Sequence, residues 1–163
     1  MNKILVSTDF SDNSKSAIRF AIHWATIQKL ELVFIYVLHI IRPAQWTDGY
    51  FEQYSEEEKK HSLSKMEKFI AGIYKKMNVL PDKYSCVVIP GISADVMIND
   101  YCRTNPDIDC ICISTRGAGR FTKFFGTNTG NLITNSIVPV FAIPKVYRVS
   151  KMNKVLFAAD FFE

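Results

Sequence analysis

Leu32-Val33-Phe34-Ile35-Tyr36-Val37-Leu38 is an unbroken apolar run between Glu31 and His39. It is far too short for the ~20 residues of a membrane span. It is rich in β-branched and aromatic residues and does not alternate with polar ones. Such a run is a strand covered on both faces, which is the habit of a parallel sheet. A parallel sheet needs crossover helices, and the sequence on either side supplies them.

Upstream, Lys3 to Ser7 reads as a second buried strand. Asp9, Ser11 and Asp12 follow it, with Ser11 or Asp12 able to cap a helix. Ala17, Ile18, Ala21, Ile22, Ala25 and Ile27 then recur at helical spacing to about Gln28. Downstream, residues 40–54 read as a loop rich in aromatics (Trp46, Tyr50, Phe51, Tyr54). Ser55 with Glu58 makes a capping box. The helix it opens runs to about Met77, with Leu63, Met66, Phe69, Ile70 and Ile73 on its apolar face and lysines and glutamates on a solvated one. Further strands are expected at 84–89, 109–114 and 138–143, with helices at 93–101 and 129–135. The order is βαβαβαβαβ. It predicts an α/β fold: an open five-stranded, mostly parallel sheet with helices on both faces, Rossmann-like. Ligands of such sheets sit beyond the carboxyl ends of the strands, where strand order reverses.

The chain has 163 residues, 48% hydrophobic and 22% charged, which excludes disorder and low complexity and suits one domain. No apolar stretch matches a membrane span or a signal peptide, so a cytoplasmic protein without a membrane partner is expected. The net charge of +4 suits a small anionic ligand. Its basic residues are dispersed, so no nucleic-acid partner is expected. Cys86, Cys102, Cys110 and Cys112 form no C-x-x-C pair and read as small buried residues. His23, His39 and His61 have no metal-ligand spacing, so no metal site is expected.

Residues 152–163 repeat the beginning of the chain. Six of these twelve positions match residues 1–12 without a gap, where ordinary composition gives about one. They are expected to be the first strand of a second, truncated repeat, joined by a linker at 145–151, and to dock on a sheet edge or pair with another subunit.

The stretch that carries chemistry leaves the fourth strand: Ser114-Thr115-Arg116-Gly117-Ala118-Gly119-Arg120-Phe121-Thr122-Lys123-Phe124-Phe125-Gly126-Thr127-Asn128-Thr129. Glycines let a backbone approach an anion, and the N–H groups opening the next helix supply donors and a favourable dipole. Arg116, Arg120 and Lys123 add positive charge, and Thr127 and Thr129 add hydroxyls. A connecting glycine turn is the plain alternative, and the loop is not of the Walker type.

With Lys3 to Asp9, Ile35-Tyr36-Val37, Asp109 to Ser114, the Gly117 loop, Gly126-Thr127-Asn128-Thr129 and Val138-Pro139-Val140 in view, the chain resembles a universal stress protein domain over residues 1–144. The resemblance implies a fold like that of the adenine nucleotide alpha-hydrolases, dimerisation through the last strand, and tandem two-domain members. It also implies ATP binding, with or without Mg²⁺, in members that carry G-x-x-G-x9-G-[ST]. Here Ser114 replaces the first glycine, and eight residues rather than nine separate Gly117 from Gly126. One residue spans up to ~3.6 Å; Gly119 offsets part of the loss. By resemblance, Ser7 and Asp9 lie near the adenosine end, Val37 offers its backbone to adenine, and Ile113 and Ser114 line the floor. Gly117, Gly126, Thr127, Asn128 and Thr129 hold the phosphates. Charge and position add Arg116 and Arg120, and Gly119 joins them as the glycine that offsets the shortened loop. The expected role is non-catalytic nucleotide binding in a stress response, since no general base stands near the loop. The alternatives are a dimerising scaffold that has lost ATP and a weak ATPase.

Overall fold

The computed structural model describes residues 3–115 and 127–146. Its elements are β1 (Lys3–Ser7), α1 (Ser14–Gln28), β2 (Glu31–Leu38), α2 (Asp48–Met77), β3 (Tyr84–Pro90), α3 (Ala94–Thr104), β4 (Ile108–Ser114), α4 (Thr127–Asn135) and β5 (Val140–Ile143). The sheet order is β3-β2-β1-β4-β5. All four neighbouring pairs are parallel.

The chain first moves outward from β1 to β3, then crosses back and continues to β5. Crossovers of one hand running in opposite directions place their helices on opposite faces. Accordingly, α1 and α2 cover one face, where Ile4, Val6, Phe34, Cys110 and Cys112 meet Ile18, Ile22, Met66 and Ile70. The other face takes α3 and α4, where Leu5, Ile35, Ile111 and Ile113 meet Ile98, Cys102 and Leu132. The near-continuous apolar runs of β2 and β4 follow from this double cover. Cys102, Cys110 and Cys112 are buried and all four cysteines are free thiols. Burial pushes the Cys86 and Cys102 thiols up to about 11, so they pack rather than react.

Several element boundaries differ from the sequence reading, α2 and β5 for identifiable reasons, while Ser11 caps α1 as read. The long helix begins at Asp48, not Ser55, because Thr47 caps it by accepting from the Tyr50 N–H at 3.3 Å. Residues 48–61 cover no core, so they lack the apolar period that marks a helix. At α1 the formal cap residue Asn13 makes no side-chain cap bond. Ser11 does the work instead, its Oγ accepting from the Ser14 N–H at 3.3 Å. β5 starts at Val140, after Pro139, whose nitrogen has no proton for a ladder; its carbonyl still accepts from the Ile111 N–H at 2.9 Å.

Phe34 is fully buried on β2 and meets Tyr84 edge-on at 5.6 Å. Phe34→Ala is expected to lower the urea-unfolding free energy by about 3–5 kcal/mol. Ile27→Ala, at a side chain 54% exposed, is expected to change it by no more than ~0.5 kcal/mol. Similar losses at the two positions would contradict the assignment of the core.

Candidate functional site

The central strand stops early. Ser7 ends β1 opposite Ile35, while β2 runs three residues further to Leu38. On the other side Val6 pairs with Cys112, and β4 continues to Ser114. The result is a notch over the end of β1, walled by Tyr36 to Leu38 and by Ile113 and Ser114. It lies where the sheet order reverses, the usual ligand position in such sheets.

Strand alternation decides what the walls present. In a parallel strand the backbone groups of successive residues point to opposite neighbours. The Ile35 carbonyl faces β1, accepting from the Thr8 N–H at 3.0 Å, and the Leu38 carbonyl faces β3, accepting from the Gly91 N–H at 3.0 Å. Val37 therefore aims its N–H and C=O at the line of β1, beyond the point where β1 has turned away. On β4, the Ile111 and Thr115 N–H groups donate to β5, to Pro139 and Ile143. Ser114 therefore turns its backbone toward the notch.

The turn out of β1 is built from hydroxyls. Ser14 Oγ donates to the Ser11 carbonyl at 2.9 Å, so in its 3.1 Å bond with Thr8 the Thr8 hydroxyl is the donor. Thr8 Oγ1 also accepts from the Phe10 N–H at 3.2 Å. Asp9 Oδ1 accepts from the Ser11 N–H at 3.0 Å and from the Ser11 hydroxyl at 2.5 Å. This turn holds the exposed Asp9 carboxylate at the mouth of the notch. Burial raises the Tyr36 hydroxyl above its usual pKa, and the negative charge of Asp9 adds to the effect. Phe10 sits at φ 60°, a left-handed conformation unfavourable to a bulky residue. Its ring packs at 4.5 Å from Tyr36 and 5.7 Å from Phe69, with Lys65 Nζ 4.7 Å from its centroid. The ring packing holds the backbone there.

Opposite, α4 starts at Thr127 with no acidic residue in its first turn. Its N–H groups and dipole therefore favour an anion without competition. The Thr129 hydroxyl, 3% exposed, donates to the Ser114 carbonyl at 3.0 Å. This bond ties the start of α4 to the end of β4. The Thr129 hydroxyl proton is thus committed, and its contribution to an anion is the backbone N–H.

The structure thus gathers Ser7, Asp9, Val37, Ile113, Ser114 and Thr129 around one notch, with Asn128 exposed beside it. Thr127 opens α4; its side chain lies outside the described residues. Arg116, Gly117, Gly119, Arg120 and Gly126 also lie outside them, as do the repeat at 152–163 and most of the linker. Sequence reasoning missed Thr8, Phe10 and Asp95. The hydroxyl-dense run Thr8 to Ser16 was a usable signal for Thr8. Nothing in the sequence marks Phe10 as left-handed or Asp95 as buried. Burial works to raise the Asp95 carboxyl, but hydrogen bonds from Ser93 and Asn131 outweigh it and hold it below the usual range. Asp95 thereby pins α3 to α4. Among the described residues no helix is long and apolar enough to cross a membrane.

The universal stress protein family profile matches residues 1–144. The chain belongs to the universal stress protein family. Among solved structures, this family member is similar to the universal stress protein UspA from Lactobacillus plantarum, at 22% identity and a TM-score of 0.65. That match covers 87% of this chain and 97% of the other. It is similar to the universal stress protein from Archaeoglobus fulgidus in complex with dAMP, at 18% identity and a TM-score of 0.55, covering 88% and 98%. A further universal stress protein, from Archaeoglobus fulgidus DSM 4304, matches at 22% identity and a TM-score of 0.56. It covers 88% of this chain but only 44% of that one, which is about twice as long. These likenesses show the fold. No curated protein matches the sequence.

Two stability tests follow from the seam at α4. Thr129→Val leaves the buried Ser114 carbonyl without this donor and is expected to cost about 1–3 kcal/mol in urea unfolding. Thr129→Ser is expected to keep most of that stability; a loss in Thr129→Ser with none in Thr129→Val would show that the methyl group, not the hydroxyl, matters. The depressed Asp95 contributes stability that is present above the unfolded carboxylate pKa and lost as pH falls through the folded one. Unfolding measured below about pH 4 is expected to be less pH-dependent in Asp95→Asn than in the parent. An unchanged slope would mean that Asp95 is not held in its charged form.

Proposed function

We propose that this universal stress protein binds an adenine nucleotide, ATP with or without Mg²⁺, in the notch above β1 and does not turn it over. The observation that carries this reading is the Val37 N–H and C=O pair, aimed over the end of β1 and facing the N-terminus of α4. A donor–acceptor pair of this kind matches the edge of adenine. Ile113 and Ser7 lie on the α3–α4 face of the notch, and Asp9 at its mouth suits ribose hydroxyls. The phosphates fall to the start of α4, with Thr127, Asn128 and Thr129. In sequence, Gly117, Gly119, Gly126, Arg116 and Arg120 belong to the same anion site. The relative holding dAMP supports the ligand class. The non-catalytic role is supported by Asp9 itself: its Oδ1 accepts two hydrogen bonds from Ser11, a structural task rather than that of a base.

The protein is read as cytoplasmic and as a homodimer, or as one unit of a tandem pair. The match of 152–163 to 1–12 supports a second repeat after a linker at 145–151, and so does the relative about twice as long. A scaffold that has lost ATP is the second reading. It is favoured by the glycine loop being one residue shorter than the family motif.

Thermal melts with and without Mg-ATP separate the two. At a hundredfold excess over Kd the native state gains ~2.7 kcal/mol, a rise of about 5–11 °C for this size. Gly126→Arg is expected to abolish the shift. No shift in the nucleotide-free parent protein would favour the scaffold, and a shift that survives Gly126→Arg would place the ligand elsewhere.

A further inference from the structure

The first fourteen residues of α2, Asp48 to His61, include none that is buried; the first buried side chain is Ser62. This arm is about 21 Å long. An isolated helix of that length is marginal in water, and Gly49 in its first turn weakens it further. Yet it carries aromatic surface. Trp46 packs edge-on against Tyr50 at 4.7 Å and Tyr54 at 5.0 Å, and Tyr50 is 55% exposed. Such an arm calls for cover.

The rest of the same helix has the chemistry to supply it. From Asp48 to Glu58 there are five acidic residues and no basic one; from Lys59 to Met77 there are six lysines and one glutamate. The helix dipole acts only on the terminal turns, so it does not account for Glu56 to Glu58 in mid-helix. Opposite the buried Met66, Ile70 and Ile73, one outward stripe runs Tyr50, Tyr54, Glu57, His61, Ser64, Lys68, Ala71, Lys75. All are exposed except the half-buried Tyr54. The steps alternate four and three residues, the spacing of a coiled-coil seam.

We propose that this stripe pairs antiparallel with the same stripe of a second copy of the chain. In an antiparallel seam the layers join Glu57 to Lys68, Tyr54 to Ala71, Tyr50 to Lys75 and His61 to Ser64, each occurring twice about the twofold axis. Every layer is complementary: an ion pair, a ring on a small residue, a cation on a ring and a hydrogen-bonding pair. Ala71 and Lys68 also border a groove of about 530 Å³ between α2 and the edge strand β3, lined by Glu67, Tyr84, Ser85 and Cys86. The Tyr54 ring from the second copy lies at its mouth. This interface is separate from the nucleotide notch and from the β5 edge.

Sedimentation equilibrium of the full chain tests it. Glu57→Lys and Lys68→Glu each place like charges in two layers, and each variant alone is expected to self-associate at least tenfold more weakly through this step. An equimolar mixture of the two restores both ion pairs, so it is expected to recover the parent association. Circular dichroism on each variant checks that the fold is kept. Unchanged association in the single variants, no recovery on mixing, or a parent chain that stays monomeric would overturn the proposal.

Discussion

The early end of β1 is the constraint on which the rest depends. The innermost strand of the sheet stops at Ser7 while β2 and β4 continue. A sheet cannot close that notch with its own backbone, so polar groups on its walls face an open space. Val37 is half-buried against the core by its side chain and an edge residue by its backbone. The same position satisfies a packing requirement on the α3–α4 face and leaves a donor and an acceptor over the notch.

The elements around the notch are fixed by short polar ties rather than by apolar mass. Thr8, Asp9, Ser11 and Ser14 brace the turn from β1 into α1. Thr129 binds the start of α4 to the end of β4. Among the described residues Leu132 is the buried apolar side chain of α4, a helix otherwise rich in threonine and asparagine. α4 is thus held in place by directional bonds to Ser114 and Asp95, which orient its N-terminus. Apolar packing is concentrated in α1, the second half of α2 and α3.

Most of the architecture was legible because burial leaves a period in the sequence. The apolar runs of β2 and β4 and the helical spacing of Ala17 to Ala25 arise from double cover and from one-sided cover respectively, while Ile27, at the same spacing, is exposed. The arm of α2 reads as a loop in the sequence for the same reason inverted: it covers no core, so it shows no period. Val37, Ile113 and Ser114 enter through the family resemblance; the strands that carry them are legible as apolar runs, but no local signal singles out these positions. Phe10 was not legible, since its left-handed backbone is imposed by the rings of Tyr36 and Phe69, which are distant in sequence. Asp95 was not, since its partner Asn131 lies on another helix, distant in sequence.

In the proposed complex the Val37 backbone reads an adenine edge over the end of β1. Amide-resolved NMR during titration with Mg-ATP tests it most directly. The Val37 N–H is expected to shift strongly and its hydrogen exchange to slow as nucleotide binds, while Phe34, inside the ladder, scarcely changes. Nucleotide binding that leaves the Val37 amide unshifted and its exchange unaltered would place adenine elsewhere.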